Sequence, residues 1–376
     1  MHEDNLPEEW EILREWLPKD LNERARAHHF FQRARGLTDG ECWLRLILMH
    51  VAGGLSLEQT ALRARELGLA QISGVALFKR LRRAEAWLKD LCQYLLVEQQ
   101  RRLGRGAWPV QYRVRAIDAT DIQEPGSTGT DWRIHYSIRL PELSCDHHEL
   151  TDHKAGEKPG RFEFAKDELI LADRGYSHRA GAAKVLDSGA ALLLRWNPKT
   201  FPVKAADGSE FELLATLRRL PKRGAREWPV QLEYEGNIRR LRLCALRKNR
   251  VAAERSRRKA VRKAKCNGQQ IQDQSLEMTG YIMVLTSLPA EKFSPGQVLR
   301  LYQCRWQVEL AFKRLKSLLG AGHVPKSDDA SARAWMQAKI LTSLLLERLL
   351  LEARVFSPWG YALPDDQPLA QGVGSA

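Results

Sequence analysis

A run of strand-like segments between residues 106 and 197 decides which class of fold this chain can adopt. VQYRVRAIDATDIQ reads as a strand, with RIHYSIRL beside it and HHELTDHK as a third candidate. KDELILADRGY begins as an apolar strand and ends in a turn. HRAGAAKVLDSG has the composition of a helix, and AALLLRWN reads as a further buried strand. Strands, a helix and another strand in that order predict an α/β domain.

The flanking regions differ in character. Residues 1–105 read as all-helical. LTDGECWLRLILMHVAGG predicts one buried helix, and LSLEQTALRARELGL predicts another with Ser56 as its N-cap. ISGVALFKRLRRAEAWLKDLCQYLLVEQQRR predicts a single long helix, basic on one side. Two short helices separated by glycine-containing turns and followed by a basic one suggest a helix-turn-helix arrangement, so this region is expected to bind DNA. Residues 198–290 alternate turn-rich basic segments with short strands and read as a β-rich insertion that splits the α/β domain. Residues 291–345 complete that domain, and 346–376 form a Pro-rich C-terminal tail. Inside the insertion, residues 247–270 hold ten basic residues against one acid, Glu254. Such a run is a solvated segment or a phosphate-binding arm. The formal net charge of +14 favours the arm and points to a polyanionic partner. The six cysteines are scattered without paired spacing and read as reduced thiols of a cytoplasmic protein. No run approaches the length of a membrane span.

The chemistry concentrates in YQCRWQVELAFKRLK, from Tyr302 to Lys316. Apolar residues at helical spacing (Leu301, Val308, Phe312, Leu315) predict a helix within residues 295–319 that packs back onto the sheet. At about 100° per residue, Tyr302, Arg305, Glu309 and Lys316 fall within an arc of roughly 60°. One face then presents a phenol, a guanidinium, a carboxylate and an ammonium, the groups that suit phosphate oxygens and a metal ion. Metal-dependent phosphoryl transfer needs carboxylates converging from different elements, and these prefer hard ions such as Mg²⁺ or Mn²⁺. Two aspartates sit where strands are expected to end. Asp118 follows YRVRAI, and Asp173 opens Asp173-Arg174-Gly175-Tyr176, where Gly175 permits a tight turn and Arg174 can reach a phosphate.

Asp118-Ala119-Thr120, then LADRGY around Asp173, then Tyr302-x2-Arg305-x3-Glu309-x6-Lys316 together resemble the signature of the DDE transposases of bacterial insertion sequences, in the insertion-sequence-4-like branch with the YREK helix. The resemblance runs over roughly residues 110–320. It implies an RNase H-like catalytic domain interrupted by a β-rich insertion, with Asp118, Asp173 and Glu309 as catalytic residues that hold two Mg²⁺ or Mn²⁺ ions. It implies that Tyr302, Arg305 and Lys316 grip DNA phosphates, and that Tyr281 stacks a flipped base. The implied reaction is cut-and-paste transposition at terminal inverted repeats, by a homodimer on double-stranded DNA (transposon ends and target), in the cytoplasm at the nucleoid. Trp196 and Trp306 are further aromatics of interest, Trp306 lying off the face and expected in the core.

Two other functions fit a basic RNase H-like chain. One is a nuclease that needs no inverted repeats. The other is a DNA-binding protein from a decayed element, which binds without cleaving. Cys145, Asp146, His147, His148, Asp152 and His153 supply metal donors at close spacing, but no second Cys or spaced His pair completes a zinc site.

Overall fold

The computed structural model describes residues 9–31, 37–102, 111–127, 129, 131–140, 142–326 and 328–355. The junction at 103–110 and the end of the expected tail, 356–376, lie outside the described residues. The chain begins with helices α1 (Glu9–Trp16), α2 (Leu21–Ala27), α3 (Gly40–Val51), α4 (Leu57–Glu66), α5 (Gly74–Leu81) and α6 (Glu85–Arg102). Their starts follow from local chemistry. Asp39 accepts the N–H groups of Glu41 and Cys42 at the head of α3, and Ser56 forms a reciprocal capping box with Gln59 at the head of α4, each cap contributing about 1 kcal/mol.

The single long helix expected over residues 72–102 is two helices. Backbone bonds from Arg83 to Arg80 and from Ala84 to Leu81 tighten the chain into a 3₁₀-like turn between α5 and α6. Leu77, Leu81, Ala84, Leu88 and Leu91 are buried across the break. Their spacing continues through it, so periodicity alone does not reveal it.

Next come strands β1 (Arg113–Ile122), β2 (Trp132–Leu140), β3 (Ser144–Asp152) and β4 (Glu168–Ala172), then α7 (Arg179–Asp187) and β5 (Ala191–Arg195). β6 (Lys204–Ala205), α8 (Leu213–Arg218), β7 (Ala225–Tyr234), β8 (Asn237–Arg247), α9 (Arg250–Cys266), α10 (Asp273–Met278) and β9 (Tyr281–Thr286) follow. The chain continues through α11 (Pro295–Gln303), α12 (Trp306–Lys313) and α13 (Asp329–Val355). The strands form one sheet in the order β3-β2-β1-β4-β5-β9-β8-β7-β6. β1, β2 and β3 run as an antiparallel meander, and β4 and β5 join β1 in parallel. This is the RNase H-like arrangement, and β6–β9 extend the same sheet because β9 pairs antiparallel with β5.

Each face of the sheet has its own core. Val114, Ala116, Leu169 and Leu171 share one with the N-terminal helices, with Val308 and Phe312 of α12 and with Leu341 of α13. Ile117, Ile170, Leu192 and Leu285 share the other with Ala182 of α7 and Leu217 of α8. Alternation along β1 and β4 therefore sets Asp118 and Asp173 on the face that α12 covers.

Candidate active site

The register of the sheet joins the two aspartates. Ile117 pairs with Ala172 in the parallel ladder, so the next residues, Asp118 and Asp173, emerge side by side on strands about 4.8 Å apart. Asp173 lies just beyond β4, at the head of a short 3₁₀ turn, as the sequence predicts. Asp118 does not end its strand. β1 continues through Ala119, Thr120 and Asp121 to Ile122, held by β2 along that whole length.

The helix over these residues is also less regular than the helical wheel assumes. α11 starts at a Ser294–Gln297 capping box with Pro295 in its first turn and stops at Gln303. Arg305 N–H bonds the Tyr302 carbonyl and Val308 N–H bonds that of Arg305, which makes a tight turn before α12. After α12, Arg314–Leu318 is a π-helical turn, and the chain is then tied to β1 by backbone bonds between Gln123 and both Gly322 and Val324. Neither Gly nor Pro marks the break at Cys304-Arg305.

The expected face nevertheless converges on the aspartates. Arg305 donates to Asp118 Oδ2 at 2.9 Å and to Glu309 Oε1 at 2.6 Å, and Tyr302 Oη donates to Asp173 Oδ1 at 3.3 Å. The Asp118 and Arg305 side chains are 15% and 12% exposed, whereas that of Glu309 is 60% exposed. Burial pushes the Asp118 carboxyl up to about 7; the Ala119 N–H and Arg305 oppose this, and Asp173 and Glu157 reinforce it. Burial, then Asp173, pushes the Tyr302 phenol up, so it stays a neutral donor. Lys316 stands nearer Asp121, its ammonium pulled down by burial and held up by Asp121.

The donor set fits hard divalent cations, because its donors are carboxylate oxygens and two of the carboxylates, on Asp118 and Asp173, stand side by side on neighbouring strands. As they stand, no three His, Cys, Asp or Glu groups among the described residues close on one ion. The Arg305 guanidinium instead stands between Asp118 and Glu309 and supplies the positive charge there.

Arg174 points the other way. Its guanidinium donates to Asn197 Oδ1 at 3.0 Å and lines a cavity of about 640 Å³ beneath α9. Arg195, Lys199, Lys248, Lys259 and Lys263 line it as well, with no acidic side chain among the described residues. The basic run is thus a helix, capped by Asn249, none of whose residues is buried. Tyr281 lies at this cavity but is only 5% exposed, and the Arg247 guanidinium covers its ring at 5.3 Å. A stacking base has to displace that arginine. Trp196 is buried and donates to the Phe201 carbonyl at 2.7 Å, whereas Trp306 is half exposed rather than in the core. On β3, Asp146 is taken up by the buried Arg115 at 2.7 Å, and the His147 ring packs edge-on against Phe162.

Sequence reasoning passed over Glu157 and Tyr176, and found the tight turn at Gly175 but not the close approach there. The φ of Gly175 is not left-handed. The Glu157 carboxylate occupies the place a side chain would take: a Cβ built on Gly175 would stand 1.6 Å from Glu157 Oε2. The signal in the sequence was the glycine itself, which marks a close approach as readily as a turn.

The sequence matches the transposase DDE domain family over residues 146–345. That span includes Asp173, Tyr302, Arg305, Glu309 and Lys316 and begins after Asp118. The chain is 31% identical over 347 residues to the putative transposase InsL for insertion sequence element IS186A of Escherichia coli K12, covering 91% of this chain and 93% of that protein. It is also 31% identical over 348 residues to the transposase for insertion sequence element IS421 of Escherichia coli, with the same coverage. A cryo-EM structure of a piggyBac transposase synaptic complex with hairpin DNA aligns with 92% of this chain and 76% of that one, at a TM-score of 0.48 and 10% identity.

Proposed function

The chain belongs to the DDE transposases, which cleave DNA and transfer its strands, and from that premise we propose that Asp118, Asp173 and Glu309 hold the divalent cations of its reaction. The observation that carries this is the Arg305 bridge: one guanidinium reaches a strand carboxylate and a helix carboxylate that lie 191 positions apart in the chain. Two Mg²⁺ or Mn²⁺ ions, when bound, would activate the attacking oxygen and stabilise the leaving one. The chain's own residues do the rest. Asp118 and Asp173 sit on a rigid parallel ladder that fixes their spacing. Arg305, which pairs with Asp118 here, would bind a DNA phosphate bidentately were a cation to take its place at Asp118. Tyr302, held neutral, donates a hydrogen bond near Asp173. Lys316 adds a point charge for a second phosphate.

The basic cavity beneath α9 takes the strand that leaves the site, with Arg174 at the junction of the two. Tyr281 stacks a flipped base there once Arg247 moves to the backbone phosphate. The helical unit through residue 105 binds the terminal inverted repeats, and a homodimer pairs the two ends. No helix among the described residues is long and apolar enough to cross a membrane, and we place the protein in the cytoplasm at the nucleoid.

The test is purified protein with Mg²⁺ or Mn²⁺ and DNA carrying its element's own ends. Nicking followed by joining to target DNA supports the reading, and Asp118→Ala, Asp173→Ala and Glu309→Ala each remove nicking while keeping end binding. Full nicking by any one of them removes that residue from the site. Cleavage independent of the end sequence, without joining, assigns a nuclease instead.

A further inference from the structure

The loop between β3 and β4 delivers a carboxylate that no strand or helix pattern foreshadows. Glu157 lies against Gly175, two residues beyond Asp173, so close that only glycine leaves room. A His178 ring nitrogen hydrogen-bonds the Glu157 backbone carbonyl at 2.8 Å and fixes that end of the loop.

The charges around it do not balance. Asp121 is paired with Arg133 at 2.8 Å, and Asp118 and Glu309 share Arg305. Glu157 makes no ion pair or side-chain hydrogen bond among the described residues, and Asp173 accepts from the neutral phenol of Tyr302 and lies in the field of Arg305. Burial, and then Asp173 and Asp121 against the pull of Arg133, raise the proton affinity of Glu157. A second observation is independent of these carboxylates. Tyr176 is 0% exposed, and its hydroxyl has no hydrogen-bond partner. It lies within the field of Asp118 and Glu157. A buried hydroxyl without a partner, in the field of the unpaired Glu157 carboxylate, marks a place for a small polar ligand.

We propose that Glu157 is a fourth carboxylate of the divalent-cation site, binding the ion that Asp118 and Asp173 hold through one water of its hydration shell. That water donates one hydrogen bond to the Glu157 carboxylate and the other to the Tyr176 oxygen. Water-mediated binding suits Mg²⁺, which keeps several waters when it binds protein. The proposal rests on the reading that Asp118 and Asp173 bind the cation.

The experiment is a Mn²⁺ titration of the full chain without DNA, with free Mn²⁺ followed by electron paramagnetic resonance, for the unchanged protein, Glu157→Gln and Asp173→Asn. Glu157→Gln is expected to weaken Mn²⁺ binding by about 10–100-fold, the usual effect of losing an outer carboxylate. Its metal-free melting temperature is expected to equal or exceed that of the unchanged protein, because a like charge has gone. Unchanged Mn²⁺ affinity in Glu157→Gln, with affinity lost in Asp173→Asn, overturns the proposal and leaves the cation site standing. Unchanged affinity in both variants overturns the cation site itself. A lower metal-free melting temperature for Glu157→Gln makes Glu157 a structural residue and also overturns the proposal.

Discussion

Two regions of opposite charge meet at Asp173-Arg174. On one side, carboxylates on β1, just past β4 and on α12 gather around Arg305, which pairs with Asp118 and Glu309 from within the fold. On the other, cations line an open cavity beneath α9, where Lys248 is tied to Ser256 and the Thr279 carbonyl and Arg174 to Asn197. Burial makes the Asp118–Arg305 pair of the first region specific, because removing one charge leaves its partner uncompensated. Exposure makes the charges of the second additive and sensitive to salt. One region is built to hold cations and the other to hold a polyanion.

The largest effect should come from the carboxylates. Asp173→Asn is expected to lower strand cleavage by about 10³-fold without weakening affinity for end DNA, measured by gel shift beside a nicking assay. Comparable losses of both binding and cleavage would erase the distinction between the regions. Lys259→Glu with Lys263→Glu should do the converse. DNA affinity falls by about 10–100-fold, the slope of log affinity against log salt becomes shallower by about 2, and cleavage per bound complex is kept. An unchanged salt slope would take α9 out of the DNA interface.

Arg305→Ala sharpens the comparison from within the acidic region. Without divalent ions it should cost about 1–3 kcal/mol of stability, because Asp118 is left without its partner, and Mg²⁺ should restore much of the loss. Denaturant unfolding with and without Mg²⁺ measures this, and an equal loss under both conditions would contradict it. The smallest effect is a slope. Asp118 is raised to about 7, so the fold keeps its proton longer than the unfolded chain does. Its stabilisation is full below about pH 4 and is lost as the pH rises through about 7. Metal-free Asp118→Asn should flatten that decline, whereas substitutions in the basic cavity should leave it unchanged.

What the sequence made legible is what local pattern controls. Alternating segments gave the five strands of the first part of the sheet. A strand running into Asp173-Arg174-Gly175 placed that aspartate at a turn. One helical face set Tyr302 and Arg305 toward the two aspartates, even though the helix breaks between them. Features that depend on distant partners were hidden. β1 runs past Asp118 because β2 pairs with it as far as Trp132. The 198–290 strands extend the main sheet because β9 finds β5. Glu157 enters from a loop with no period of its own, and the occupant above Gly175 is visible only in three dimensions.

The most direct test is a crystal structure with Mn²⁺ and end DNA, read by anomalous scattering. The account predicts manganese within about 2.2 Å of Asp118 and Asp173 oxygens, with the Arg305 guanidinium turned from Asp118 to a phosphate. Manganese bound elsewhere, with Arg305 still bridging Asp118 and Glu309, would contradict it.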